Sequence, residues 1–131
     1  MAITYDVDHS TQRVTITATG DIRIEDMAAL VMELAEKHLF VYAHRFDARD
    51  AAVTMNSEEV RRLVPLVARL RKEHGHARAA FITTSDVSFG MARMYATLAA
   101  DTDSGFMVYR TMDEGDAWLG WQPARSTQRA G

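Results

Sequence analysis

Between Arg13 and Thr19 the chain alternates Val14, Ile16 and Ala18 with Thr15, Thr17 and Thr19, a period of two that predicts a strand with one buried face. Ala2 to Val7 reads as a strand before it. The turn formers Asp8-His9-Ser10-Thr11 between the two predict a hairpin, and Gly20 with Asp21 is expected to end it. From Ile24 to His38 the period changes, with Ile24, Met27, Val31, Leu34 and His38 at helical spacing and Glu25 and Asp26 in the first turn, where the helix dipole favours acids. Phe40 to Phe46 is nearly continuous in apolar residues, the pattern of a strand covered on both faces. Asp47-Ala48-Arg49-Asp50 is read as its end and 51–55 as a loop.

Asn56 and Glu59 stand at capping-box spacing ahead of a second helix, whose stripe of Val60, Leu63, Val67 and Leu70 runs to about His74. Pro65 inside that stripe predicts a kink or a short first segment, and Gly75 a stop. Ala79 to Ile82 is a buried strand, closed by Thr83-Thr84-Ser85 and the helix-capping acid Asp86. A third helix spans about Val87 to Ala100, a strand Phe106 to Tyr109, and a last helix Asp113 to Trp121 behind the capping pair Thr111 and Glu114. The polar segment 122–131 is expected to be a disordered tail, leaving one domain over residues 1–121. The order β-β-α-β-α-β-α-β-α predicts an α/β fold with a mixed, mostly parallel five-stranded sheet and four helices.

Composition narrows the function. The 131 residues hold no cysteine, which removes thiol chemistry, disulfides and thiolate metal sites. The net charge is −3, and −5 over residues 1–124 once Arg125 and Arg129 are set aside, which argues against nonspecific nucleic-acid binding. No apolar run reaches the roughly 20 residues of a bilayer span, and the first residues lack a signal-peptide pattern, so the expected location is cytoplasmic.

In open α/β sheets ligands gather beyond the carboxyl ends of the strands. That rule points to Asp47 and Arg49 after one strand, with Asp50 beside them, and to Thr84, Ser85, Asp86, Gly90 and Arg93 after the next, as a candidate small-molecule site. Free amides at the third helix start suit an anion, but three nearby carboxylates oppose one, and Asp47 is expected to pair with Arg49 or Arg93. Gly90 in the helix's first turns implies close approach by a ligand or by a neighbouring strand end. On that helix Val87, Met91, Met94, Tyr95 and Leu98 form one apolar side, expected to face the core. Phe89, Ala92, Ala96 and Ala100, flanked by Arg93, form another, expected to meet a second copy of the chain. His74-Gly75-His76 lacks a third metal ligand, and His44 and Asp47, three apart on one strand, point to opposite faces, so neither metal nor acid-base catalysis is expected. The eight methionines suit an apolar ligand, though a small core leaves little room for one.

Three stretches carry a family resemblance: Phe46-Asp47-Ala48-Arg49 at a strand end, Asp86-Val87-Ser88-Phe89-Gly90-Met91-Ala92-Arg93-Met94-Tyr95 opening the third helix, and Asp116-Ala117-Trp118-Leu119 in the last. Over residues 3–121 the chain resembles STAS-like domains, relatives of anti-sigma-factor antagonists and of sulfate-transporter cytoplasmic domains. The resemblance implies a bacterial interaction or regulatory domain without a catalytic site or cofactor. In true antagonists a serine after an Asp-Ser-Ser or Asp-Ser-Thr turn, at the start of the second helix, is the phosphorylated switch. This chain lacks that turn and offers only Ser57. The reading is therefore a homodimeric interaction domain, with a small-ligand sensor or carrier as the alternative and a small enzyme at the same strand ends as the weaker one.

Overall fold

A computed structural model describes residues 2–100 and 105–121. The expectation for 122–131 lies outside the described residues. The strands β1 (Ala2–Asp8), β2 (Arg13–Ile22), β3 (Ala43–Val53), β4 (Ala79–Ile82) and β5 (Phe106–Tyr109) form one sheet in the order β1-β2-β3-β4-β5. Only the β1–β2 pair is antiparallel. The helices are α1 (Ile24–Glu36), α2 (Ser57–His74), α3 (Asp86–Ala99) and α4 (Met112–Leu119).

Strand alternation sorts the layers. Val14 and Ile16 of β2, Phe46 of β3, Phe81 of β4 and Val108 of β5 are buried in one cluster with Leu34 of α1, Leu70 of α2 and Ala92 of α3. These three helices therefore share a face of the sheet. The neighbours of Phe81 point the other way: Ala80 and Ile82 lie against Gly115 of α4, which covers the opposite face.

The β1–β2 hairpin turns on Asp8, whose Oδ1 accepts from the Ser10 and Thr11 amides, at 3.0 and 3.3 Å. β2 does not stop at Gly20 and Asp21 but pairs with β3 to Ile22. β3 begins three residues later than the apolar run, because Leu39 and Phe40 are buried outside the strand, and it continues through Asp47–Val53. That second half was read as the strand's end at Asp47–Asp50 followed by a loop over 51–55. There it runs past the end of β4, paired only to β2, and needs no second apolar face. A bulge in β3 between Asp47 and Asp50 shifts the alternation, so that Ala48 faces the core before it and Ala51 and Val53 after it.

α1 ends at Glu36 rather than His38. The His38 amide donates to Ala35 O and the Leu39 amide to Leu34 O, at 3.0 and 2.9 Å, a Schellman closure with His38 at φ 60° where glycine is usual. α2 runs unbroken through the exposed Pro65, not as two segments, and its capping box is formed: the Glu59 amide donates to Asn56 and the Asn56 amide to Glu59. Gly75 caps it at φ 147°, with the Phe40 backbone 2.9 Å from where a Cβ would stand. Ser85, not Asp86, caps α3, accepting from the Ser88 amide. α4 starts at Met112 and ends before Trp121 on a left-handed Gly120.

The orientation of α3 differs from the expectation. Its buried residues are Ser88, Ala92, Tyr95 and Ala99, while Val87 is 73% and Leu98 41% exposed. The helix packs close to the sheet, and Ser88 accepts the Val53 amide at 2.9 Å. Close approach selects the small Ser88, Ala92 and Ala99 for the inner face and turns Val87 and Leu98 outward, while Tyr95 is buried and Met91 packs against the core as expected.

Candidate functional site

The residues expected at the strand ends fall into two clusters, the first of them inside β3 rather than beyond it. On the outer side of the β2–β3 extension, Arg49 clasps Asp47 through two side-chain bonds of 2.9 Å, and the Arg49 amide adds a third at 3.1 Å. Those bonds hold the Asp47 carboxyl below its usual range and raise the Arg49 guanidinium. Of the two partners expected for Asp47, the structure selects Arg49.

The second cluster forms where the end of β5 meets the start of α3. Arg110 donates to the Thr84 carbonyl, pairs with Asp86 at 3.0 Å, and lies 4.1 Å over the Phe89 ring. Arg93 approaches the same ring from 5.8 Å. Sequence reasoning missed Arg110, although it follows β5 directly and the strand-end rule that chose Thr84 applies to it equally. Among the described residues, no hydrogen bond or ion pair joins this cluster to Asp47 and Arg49. The single strand-end mouth is thus two sites, in each of which opposite charges face one another.

Three further positions change meaning. Gly90 is exposed, and a Cβ there would meet nothing within 4 Å, so tight packing against a strand end does not explain it. Ala92 is only 7% exposed and Ala96 packs against the core, so neither is open to a second copy, whereas Ala100 and Arg93 are exposed. Phe89 is half-buried beneath the two arginines. Ser57 is exposed in the first turn of α2, beside Glu58 and Glu59.

His44 is buried, and its Nε2 donates to the Leu39 carbonyl at 2.9 Å. Burial pushes its pKa down to about 4, overcoming that bond, with the nearby Arg71 charge adding to the fall. Asp47 leaves the same strand on the opposite face, so the two form no dyad. On the α4 side, Arg45 reaches both oxygens of Asp116 at 2.8 and 3.1 Å, and Trp121 packs against the guanidinia of Arg45 and Arg13.

The core also holds more space than its size suggests. An apolar cavity of about 110 Å³ lies between the sheet and the layer of α1, α2 and α3. At roughly 24 cal/mol per Å³, a core keeping such a cavity unfilled forgoes about 2.6 kcal/mol.

The chain matches no protein-family model and no curated protein by sequence. Solved structures do match. An uncharacterised protein of the DUF3478 family with a SpoIIAA-like fold, from Shewanella loihica PV-4, superposes with a TM-score of 0.58 at 15% identity, over 89% of this chain and 93% of that one. The anti-sigma factor antagonist SpoIIAA in its unphosphorylated form gives 0.58 at 15% identity, over 93% and 100%. An anti-sigma factor antagonist from Mycobacterium paratuberculosis gives 0.54 at 18%, over 91% and 95%. The chain therefore has the SpoIIAA-like, STAS-like fold. No helix among the described residues is long and apolar enough to cross a membrane.

Proposed function

We propose that the chain is a non-catalytic STAS-like interaction domain, and that it acts as a homodimer joined through the outer face of α3. The observation that carries this reading is the exposure of Val87 and Leu98. They fall within about 40° of one another around the helix and form a narrow exposed apolar strip, beside Met94, which is half-buried against the smaller core cluster. Large aliphatic side chains grouped on an exposed helix face are more costly in water than scattered ones and are commonly covered by a partner. Two proteins sharing the fold are described as antagonists of anti-sigma factors, which supports a regulatory role exercised by binding protein.

Sedimentation velocity on the full chain tests this. The wild type should run as a dimer and the double variant Val87→Glu, Leu98→Glu as a monomer with an unchanged circular dichroism spectrum. Ala100→Glu, on the other flank of α3, should remain dimeric. A monomeric wild type, or a double variant of undiminished mass, overturns the homodimer.

The alternative, a small-ligand sensor at the strand ends, has less support, because Asp47 with Arg49 and Asp86 with Arg110 already neutralise one another. A small enzyme there would use these same engaged groups. Phosphorylation of Ser57 has the helix dipole in its favour and the adjacent Glu58 and Glu59 against it.

A further inference from the structure

The apolar interior behind the sheet is divided. One cluster joins the sheet to α1, to the end of α2 and to Ala92 of α3, and a smaller one joins Val60 and Leu63 of α2 to Tyr95 and Ala99 of α3. The cavity of about 110 Å³ touches residues of both. Interiors normally leave few voids larger than a water molecule. An engineered apolar cavity of about 150 Å³ in another protein stays dry and binds benzene, so this one is of the scale that takes a small guest.

Its chemistry is one-sided. Every element of the layer contributes carbon: Phe46 from β3, Leu30 from α1, Val67 from α2, and Met91 from α3. Met27 and Met55 add two further thioethers, which bend around guests of different shape at little cost. The polar lining residues are engaged with the protein itself. His44 donates to the Leu39 carbonyl and is held neutral by burial, and Arg71 donates to the Ala77 carbonyl. A charged guest would exchange its full hydration for walls of carbon and, at most, the one Arg71 guanidinium that already donates to Ala77 O, whereas an uncharged one only exchanges water for carbon.

We infer that this cavity is a binding site for a small, uncharged, apolar molecule about the size of a benzene ring. The site goes beyond the interaction reading and does not depend on it, since its walls lie on the inner side of α3 and the strip of Val87 and Leu98 on the outer.

The test is a titration of the full chain, labelled with ¹³C at the methionine methyls, with benzene and separately with benzoate. Benzene should shift the Met27, Met55 and Met91 resonances saturably and raise the melting temperature. The exposed Met32 and Met107 should stay put, and benzoate should move none of the five. Ala92→Leu, which fills the cavity from α3, should abolish the benzene shifts. If that variant does not fold, Val67→Leu fills it from α2 and should do the same. Absence of saturable shifts at Met27, Met55 and Met91, equal response to benzoate, or full binding in the folded filled variant overturns the inference. None of these outcomes bears on the mass of the dimer, so the two proposals fail separately.

Discussion

Thr83 follows β4 with its side chain wholly buried and its hydroxyl without a hydrogen-bond partner among the described residues, while its amide donates to Tyr109 O at 3.0 Å. A buried, unpaired hydroxyl carries its desolvation cost uncompensated. Thr83→Val keeps the shape and removes that cost, so urea denaturation should show a gain of about 1 kcal/mol. His44 makes the opposite kind of contribution. The folded chain takes up its proton near pH 4 and the unfolded chain near 6.5, so below 6.5 the unfolded state binds more protons. Its stabilising effect is complete above pH 6.5 and drains away as the pH falls toward 4. Between pH 6.5 and 5 the unfolding free energy should drop by about 1–2 kcal/mol, the slope reaching 1.36 kcal/mol per unit only once the unfolded imidazole is mostly protonated, and His44→Gln should flatten that slope. The Asp47 carboxyl, held low by Arg49, does not confuse the measurement, because its stabilising effect is lost only below its unfolded value of 3.8.

Two glycines separate the demands made on the helices. Gly90 on α3 has open space where a Cβ would stand, so Gly90→Ala should stabilise by about 0.5–1 kcal/mol through helix propensity alone. Gly115 on α4 has the Ile82 side chain 2.4 Å from its virtual Cβ, and Ile82 is itself fully buried and cannot swing aside. Gly115→Ala should therefore cost about 1–3 kcal/mol by overpacking. Thermal melts of the two variants should move in opposite directions. Nothing in the sequence distinguishes them, since both are single glycines within the first turns of a helix. The same blindness explains α3, where large aliphatics dominate the periodic pattern while the inner face uses Ser88, Ala92 and Ala99. It explains β3 as well: Phe40 is buried without being in a strand, and the polar Asp47–Asp50 is in a strand without being covered. At the short strands β4 and β5, which are bounded by turn and capping residues, the pattern fixes both ends to the residue. That Asp47 would pair with a nearby arginine was legible from the crowding of charges there, but the choice between Arg49 and Arg93 was not. Arg110 was not tied to Asp86 because that contact depends on β5 lying beside β4, a relation between elements far apart in sequence.

At the scale of the whole molecule, three helices share one face of the sheet and, among the described residues, α4 is the helix on the other, so the two sides differ in how firmly they are held. α4 is short, and its principal charged tie to the sheet is the Arg45–Asp116 pair, under Trp121 and with both side chains less than a quarter exposed. Such a pair lies between a surface ion pair and a fully buried one, so Asp116→Ala should cost about 1–2 kcal/mol, leaving the Arg45 charge half-buried and unmatched. The cost should not spread evenly. The core that holds α1, α2 and α3 to the sheet does not use this pair, so the variant should loosen α4 before the rest unfolds, as sub-global openings do. The chain reports on this directly, because its two tryptophans, Trp118 and Trp121, both belong to the α4 side. In the wild type, tryptophan fluorescence and far-ultraviolet circular dichroism should trace one denaturation curve, the mark of a two-state unit. In Asp116→Ala the fluorescence midpoint should fall to lower denaturant while most of the dichroism change stays near its original place. Coincident curves shifted together in the variant would mean that α4 and the sheet melt as one cooperative body, with the latch contributing to the whole fold and not to one layer of it.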